Sequence, residues 1–325
     1  EDQMTADVVR YGILSTAKIG LNKHIPSSRN SANSQVIAIS SRTANKAREV
    51  ALENGIQCWY PTYDELIGDP DIDAVINTLP ISMHCEWTIK SAEAGKHILC
   101  EKPLSVTVEE ARRMIDAANA NNVLLVEAFT HRWNPHLRAA RKLISEGAIG
   151  YITGLDSALS SFTEPSGNIR FSKSLAGGSL RDRGSYAVYA VRFAMSAEPI
   201  RATGISYDSG EWGIDTTFTG LLEFPCGAVA RVGSSLEQPK RCELIVLGSE
   251  GQMQIPDMFD DSGPLIVTKG DKRQVLQSSA PDRFTVQLDE FSECILTGKS
   301  PEFPAKDGMR NMAAIVALQE SATSG

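Results

Sequence analysis

Short apolar runs alternate with amphipathic segments over the first 130 residues, and this alternation limits the possible folds more than any other feature of the chain. Residues 8–14, 36–40 and 74–79 have the length and composition of buried strands. A helical pattern follows each run, and Gly95 marks the end of one such helix. Strands and helices that alternate with short links predict a doubly wound parallel sheet. We therefore expect an N-terminal α/β domain over residues 1–130.

The pattern changes after Glu127. Residues 132–146 have the pattern of one helix, and strands predominate from residue 151 onward, separated by turn sequences. This order predicts a second, α+β domain over residues 131–325, built on a large, mostly antiparallel open sheet. A helical pattern over residues 308–321 ends the chain, and this helix is a candidate to pack back on the first domain.

Composition excludes several classes of partner. The net charge of −8 argues against nucleic acid or an anionic membrane as the main partner. No apolar run approaches the ~18 residues of a membrane span. The six cysteines have neither CxxC nor Cys/His spacing, which is typical of reduced thiols in the cytoplasm and predicts no metal site. We therefore expect a cytoplasmic protein with a small-molecule substrate.

The link between the first strand and the first helix is similar to a turn that binds a dinucleotide. It follows the Rossmann pattern G-x-G-x-x-G/A, except that Leu14 occupies the position of the second glycine. Such a turn brings the backbone close to a pyrophosphate at the helix N-terminus. The segment is either a cofactor site or a purely structural turn, and its place between a strand and a helix favours the cofactor site. The predicted cofactor contacts in this segment are Gly12, Leu14, Ser15, Thr16, Ala17, Lys18 and Ile19.

The end of the second predicted strand indicates which dinucleotide is preferred. NAD sites usually carry Asp or Glu there, to hold the ribose 2′-hydroxyl, whereas this chain has Ser41 and Arg42. A guanidinium pairs well with a phosphate dianion. Ser41 and Arg42 therefore favour NADP(H), with NAD(H) as the alternative cofactor. The other interpretation of Arg42 is an exposed arginine at the start of a helix.

Lys102 stands just beyond the apolar run 95–100, and Pro103 stops the strand immediately behind it. The carboxyl end of a central parallel strand is where open α/β sheets bind their ligands. Lys102 is therefore either a catalytic residue or a solvated loop lysine, and the cofactor turn upstream favours a catalytic role.

Asp182 and Tyr186 share one face at the start of the helix predicted for residues 182–195. A tyrosine in this position can donate a proton to a substrate oxygen or accept one. Its ordinary pKa of about 10 is high for a base, and a nearby cation such as Lys102 would lower it. The alternative for Tyr186 is a core aromatic residue whose hydroxyl is satisfied by the protein.

Five motifs in this order resemble those of the glucose–fructose oxidoreductase/inositol dehydrogenase family, over nearly the whole chain. They are the partial glycine turn, Glu101-Lys102-Pro103, Glu127-Ala128-Phe129-x-x-Arg132-x-x-Pro135, Gly177-Gly178 with Asp182 and Tyr186, and Gly248-x-Glu250-Gly251. Within the family these motifs are most similar to those of dimeric dihydrodiol dehydrogenases and NADP-dependent D-xylose dehydrogenases. The resemblance implies an NADP-dependent oxidoreductase that transfers hydride between nicotinamide and a carbon bearing oxygen in a sugar, polyol or cyclic diol.

The resemblance also implies roles for individual residues. Tyr186 would act as general acid or base together with Lys102, and Asp182 would support the substrate or the tyrosine. The Lys102–Pro103 peptide bond would be cis, and the open sheet would join a homodimer or a dimer of dimers. Further cofactor contacts are expected at Leu79, Pro80, His84, Glu101 and Lys102, and substrate contacts at Phe129, Arg132 and Trp133. For His84, a place in the first turn of its helix is the alternative to a cofactor contact.

The chain departs from the family pattern at three positions, which leaves the substrate open. Ile81 replaces an asparagine that could contact cofactor or substrate, and Arg181 and Arg183 place two cations beside Asp182. The arginines either reshape the pocket or favour an anionic group, so a sugar-nucleotide or inositol-type dehydrogenase is the alternative enzyme. The alternative from another class is a non-catalytic dinucleotide-binding sensor, which would need neither Lys102 nor Tyr186.

Overall fold

The computed structural model describes residues 8–210, 212–278 and 281–324, which divide into two compact units. The first unit contains the described part of residues 1–130 together with residues 281–309, and the second contains the other described residues. Across these ranges, no helix combines the length and the apolar character that a membrane crossing requires.

A six-stranded parallel sheet forms the centre of the first unit. Its strands are β1 (Val9–Leu14), β2 (Ser34–Ser40), β3 (Cys58–Tyr60), β4 (Ala74–Asn77), β5 (His97–Glu101) and β6 (Leu125–Ala128). Their order is β3-β2-β1-β4-β5-β6, and all neighbouring strands are parallel. The order reverses between β1 and β4, so the crevice in which such sheets bind ligands lies at the carboxyl ends of these two strands. The predicted doubly wound sheet is confirmed.

Helices cover both faces of this sheet. They are α1 (Ile25–Asn30), α2 (Ala44–Glu53), α3 (Tyr63–Ile67), α4 (His84–Glu93) and α5 (Val108–Ala120). Leu66, Trp87 and Met114, from α3, α4 and α5, belong to the apolar core on one face. Ile25 and Val50, from α1 and α2, belong to the core on the other face. Burial on both faces explains why these strands have nearly continuous apolar sequences.

An eight-stranded sheet forms the centre of the second unit, with helices α6 (Pro135–Ser145) and α7 (Ser185–Met195) packed against it. Its strands are β7 (Ile152–Ser160), β8 (Arg201–Tyr207), β9 (Thr217–Glu223), β10 (Val229–Ser235), β11 (Arg241–Gly248), β12 (Gln252–Ile255), β13 (Pro264–Lys269) and β14 (Lys272–Gln277). Their order is β14-β13-β12-β11-β7-β10-β9-β8, with β7 and β10 parallel and the other described neighbours antiparallel. The predicted α+β architecture is confirmed.

Two helices, α8 (Arg283–Thr297) and α9 (Ala305–Ser324), follow the second sheet. Helix α8 packs against β1 and β2 of the first unit, and Leu288 and Phe291 are buried in the core there. The hydroxyls of Tyr11 and Ser292 lie 2.7 Å apart and join β1 to α8. Helix α8 thus covers apolar surface of the first sheet that α1 and α2 leave exposed.

The return of the chain differs from the sequence expectation, which placed all of residues 131–325 in the second domain. Residues 281–309 belong to the first unit because α8 fills one face of the first sheet. A local signal for α8 does exist. The Asp282 carboxylate accepts a hydrogen bond from the Thr285 N–H at its start, and Gly298 ends it with a φ of 72°.

Candidate active site

The turn after β1 lacks the second glycine of the Rossmann pattern, and the serine that follows Leu14 supports the backbone of the turn. Ser15 has a φ of 89°, which L-residues rarely adopt. Its Oγ lies 2.9 Å from Thr78 Oγ1 and accepts a hydrogen bond from the Ala17 N–H at 3.2 Å. The Thr78 hydroxyl donates to the carbonyl oxygen of Leu14 at 2.7 Å. Because these bonds hold Ser15 in its conformation, the tight turn forms without the second glycine.

The predicted cofactor residues of this segment differ in their exposure. Gly12 lies inside β1, and a Cβ there would come within 2.6 Å of the Leu66 side chain, so the absence of a side chain allows close packing of β1 against α3. Leu14 is buried, which leaves only its backbone for a ligand. The remaining predicted contacts are at least partly exposed beyond the turn, and they are Ser15, Thr16, Ala17, Lys18 and Ile19. A π-helical turn, Gly20–His24, follows them and continues into α1.

The end of β2 presents an exposed cation beside the start of α2. Ser41 is buried, Arg42 is exposed, and Thr43 is the N-cap residue, although its hydroxyl makes no capping hydrogen bond. The first turn of α2 contains no acidic residue. Burial raises the pKa of Tyr63, and the charge of the nearby Arg42 acts in the opposite direction. Arg42 and the positive end of α2 together fit a phosphate group.

His84 lies between the two loops that follow β4 and β5. Its Nε2 is 2.9 Å from the carbonyl oxygen of Leu79, and its Nδ1 is 3.1 Å from that of Pro103. Burial lowers the pKa of His84, while the two carbonyl oxygens favour the protonated ring and act in the opposite direction. The ring therefore connects the two loops. The Lys102–Pro103 peptide bond in the second loop is cis, as the resemblance implies.

Two glutamates hold the backbone around Lys102. One carboxylate oxygen of Glu101 accepts a hydrogen bond from the Lys102 N–H at 3.2 Å, and the other lies 2.8 Å from His24 Nε2. Glu127 accepts a hydrogen bond from the Leu104 N–H at 2.9 Å. Lys102 itself is partly exposed at the end of β5. The backbone that carries Lys102 is therefore fixed both to the helix after β1 and to β6.

In the second unit, Asp182 is held by an arginine that the sequence analysis missed. Arg170 Nε donates to Asp182 Oδ2 at 2.6 Å, and the charge of Asp182 is the main cause that raises the pKa of Arg170. Arg183 is farther from Asp182, at 3.9 Å, and its guanidinium donates to the carbonyl oxygens of Ser161 and Ser235. Because Arg183 is buried in these bonds, it does not offer a site for an anionic substrate group.

Tyr186 is partly exposed near the start of α7, directly after the π-helical turn Leu180–Gly184 that contains Asp182. Its ring packs against His131 and Phe259, with ring centroids 4.5 Å and 5.1 Å away. Irregular π turns inside helices are frequent at functional sites. Tyr186 is thus an aromatic residue at the edge of the core, and not one enclosed by it.

Asp215, from the segment before β9, fixes the start of this π turn. Its Oδ2 accepts hydrogen bonds from Ser179 Oγ at 2.7 Å and from the Leu180 N–H at 2.6 Å. Gly178 has a φ of 119°, and a side chain there would collide with the Asp215 carboxylate. Burial raises the pKa of Asp215, and the two hydrogen bonds act in the opposite direction. Gly178 therefore admits a carboxylate that caps the turn.

The three predicted substrate contacts differ in their exposure to solvent. Phe129 and Arg132 are each 1% exposed, so in this conformation neither lines a surface that a substrate reaches. The Arg132 guanidinium lies 5.8 Å from the centre of the Tyr189 ring. Trp133 is partly exposed, and the Arg138 guanidinium lies 5.1 Å from its ring. Arg132 is therefore buried against α7.

Sequence reasoning missed four residues that position the site, and they are His24, Thr78, Arg170 and Asp215. The partners of Thr78 and His24 lie 63 and 77 residues away in the chain, and those of Arg170 and Asp215 lie 12 and 36 residues away. No local pattern links residues at such separations. Arg170 alone had a usable signal, because an arginine shortly before a Gly-Gly turn could reach the acidic residue behind it.

Two family models match the chain. One, described as an oxidoreductase family with an NAD-binding Rossmann fold, matches residues 9–129. The other, described as a GFO/IDH/MocA C-terminal domain, matches residues 137–254. Both matches agree with the two architectures in the structure.

Known proteins resemble the chain over most of its length. D-xylose 1-dehydrogenase (NADP(+)) 2 from Haloferax volcanii is 34% identical, and the alignment covers 97% of this chain and 98% of that protein. Trans-1,2-dihydrobenzene-1,2-diol dehydrogenase from Xenopus laevis is 28% identical over 89% of this chain and 90% of that protein. The crystal structure of an aldose–aldose oxidoreductase from Caulobacter crescentus, complexed with glycerol, has a TM-score of 0.91 and 28% identity, covering 98% of both chains.

Proposed function

Because this chain belongs to the GFO/IDH/MocA family of NAD(P)-dependent oxidoreductases, as its motifs predicted, we propose that it transfers hydride between NADP(H) and a sugar or cyclic diol carbon. The first unit is its NAD(P)-binding Rossmann domain. The observation that carries the proposal is the partly exposed Tyr186, which follows a helix start held by the Asp215 carboxylate. A fixed backbone presents Lys102 at the carboxyl end of β5.

Two of the named relatives support a neutral substrate with oxygen on two neighbouring carbons, whereas others are named as dTDP-sugar 3-reductases. D-xylose bears a hydroxyl next to position 1, and the dihydrobenzene diol carries its hydroxyls on carbons 1 and 2. Aldoses share this feature. We infer that this enzyme acts on one carbon of such a pair. The buried Arg183 is occupied by protein carbonyls and would not hold the phosphates of a sugar nucleotide. A sugar nucleotide is nevertheless the second candidate substrate, because several relatives are dTDP-sugar 3-reductases.

The residues of this chain would control the proton that accompanies hydride transfer. When bound, the nicotinamide supplies or accepts the hydride. In the reductive direction, Tyr186 donates its phenolic proton to the carbonyl oxygen of the substrate, and in the oxidative direction it takes that proton back. By the family resemblance, Lys102 would polarise the C–O bond of the substrate. Glu101 and Asp182 are positioning residues, because they hold the Lys102 backbone and Arg170.

The catalytic role of Tyr186 is tested by Tyr186→Phe, which removes the acidic proton and keeps the ring. We expect turnover to fall by ~10²–10⁴, the usual contribution of one positioned general acid. Binding of NADPH, measured by fluorescence titration, stays within about twofold of the wild-type value, because the cofactor contacts lie in the other unit. Tyr151→Phe, the same change at an exposed tyrosine of the second unit, is the control. Unchanged turnover in Tyr186→Phe would contradict the role.

The preference for NADP(H) is tested by Arg42→Asp. The new carboxylate would repel a 2′-phosphate and accept a bond from a 2′-hydroxyl, so the NADP-to-NAD ratio of kcat/KM should fall. A charged hydrogen bond is worth about 1.5–3 kcal/mol, which predicts a fall of about 10- to 100-fold. Arg48→Asp makes the same change at an exposed position of α2 and should leave the ratio unchanged. A ratio that stays constant in Arg42→Asp would refute the assignment.

We further propose that the open face of the second sheet joins two copies of the chain. Ile205 and Leu221 are 73% and 46% exposed on this face. Leu221 is in register with Arg231 and Asp156, and the last two form an ion pair. Because such charges are already neutralised within the sheet, identical faces can meet without like-charge repulsion and bury their apolar side chains.

The assembly is tested by Leu221→Asp, which places an unpaired charge on this face. Sedimentation velocity should give a particle of twice the chain mass for the wild type and a shift toward the monomer for the variant. Leu52→Asp, at an exposed leucine of α2, is the control and should sediment as the wild type does. A monomeric wild type at micromolar concentration, or a fully dimeric Leu221→Asp, would be incompatible with the proposal.

A further inference from the structure

We propose that Arg170 is a substrate-binding residue, whose guanidinium donates hydrogen bonds to the oxygen on the carbon next to the reacting carbon. This inference rests on the proposed function and deepens it, because it assigns a residue to the second oxygen of the substrate. The sequence motifs did not single out Arg170.

The way in which Arg170 is held leaves part of its guanidinium available. Its Nε donates to Asp182, while Nη1 and Nη2 make no hydrogen bond to any residue within the described ranges. The Arg170 side chain is 42% exposed, whereas Asp182 is 18% exposed. Guanidinium nitrogens form a rigid planar fork, so fixing Nε also fixes the direction of the two other nitrogens.

The backbone around Arg170 is fixed as well. Its carbonyl oxygen accepts a hydrogen bond from the Gly178 N–H at 2.9 Å, and its own N–H donates to Asn168 Oδ1 at 3.1 Å. The next residue, Phe171, is buried, and its ring lies 5.2 Å from that of Trp212. Arg170 is therefore presented by an anchored segment, as a binding group requires.

Arg170 is also close to the proposed proton donor. Its partner Asp182 lies one helical turn before Tyr186, and the Tyr186 hydroxyl contributes to the electrostatic raising of the Arg170 pKa. A substrate whose reacting oxygen meets Tyr186 would therefore carry its neighbouring oxygen toward Arg170. Because Asp182 compensates the charge of Arg170, the pair suits neutral hydroxyl or carbonyl oxygens better than a phosphate.

The test combines a change in Arg170 with a change in the substrate. Arg170→Met removes the fork, and Arg170→Gln keeps an amide donor and guards against a folding defect in the first variant. Each protein is assayed with D-xylose, D-glucose and trans-cyclohexane-1,2-diol, and with 2-deoxy-D-xylose, 2-deoxy-D-glucose and cyclohexanol. Lys173→Met, which removes an exposed cation of the same loop, is the matched control.

In the wild type and in Lys173→Met, loss of the neighbouring hydroxyl should lower kcat/KM by about 10- to 100-fold. In Arg170→Met, the ratio of kcat/KM for each hydroxyl compound to that for its deoxy analogue should approach one, with NADPH binding unchanged. Arg170→Gln keeps an amide donor and should give a ratio between those of Arg170→Met and the wild type. A deoxy effect of the same size in the wild type and in both Arg170 variants would overturn the proposal.

A binding measurement separates failure of this inference from failure of the proposed reaction. The same compounds are titrated by calorimetry into NADP⁺-loaded Tyr186→Phe protein, with and without Arg170→Met. One outcome is that the wild type turns over none of the compounds, while the bound protein still prefers the hydroxyl compounds and loses this preference in Arg170→Met. That result would support the binding role of Arg170 and contradict the proposed reaction. Absence of binding by all six compounds would overturn both.

Discussion

The two contacts of the Glu101 carboxylate fix the loop that carries Lys102 in the first unit. One of its oxygens contacts His24, in the helix that follows the cofactor turn, and the other accepts the N–H of Lys102. The parallel sheet brings the carboxyl ends of β1, β4 and β5 to one edge, and Glu101 fixes the residue that continues β5 there. Thr78 acts similarly between β4 and the turn after β1.

Carboxylates also position the reactive end of the second unit. The Asp215 carboxylate accepts the Leu180 N–H at the start of the π turn before α7, and Asp182 within that turn holds Arg170. These acidic groups hold the segments that carry Tyr186 and Arg170, the side chains that we expect to meet the substrate. A rigid second layer of this kind reduces the conformational freedom that binding would otherwise have to remove.

The sequence predicted the features that local patterns encode. The alternation of strands and helices predicted the parallel sheet. The order of the motifs, which include Lys102 and Tyr186, predicted the family. The return of α8 to the first unit and the hydrogen bonds of Ser15 depend on residues far apart in the chain, so no window of sequence contains them. The same limit hides the close approach of Gly12 to Leu66, which belongs to a helix that the sequence analysis did not identify.

The most direct test of the central claim is whether the wild-type protein reduces NADP⁺ with a neutral diol or sugar. Absorbance at the reduced nicotinamide band is followed with aldoses, polyols and cyclic dihydrodiols, with NAD⁺ in parallel. We expect NADPH to form with at least one compound that has oxygen on neighbouring carbons, and more efficiently than NADH. Tight binding of NADP⁺ without reduction by any of these compounds would contradict the claim.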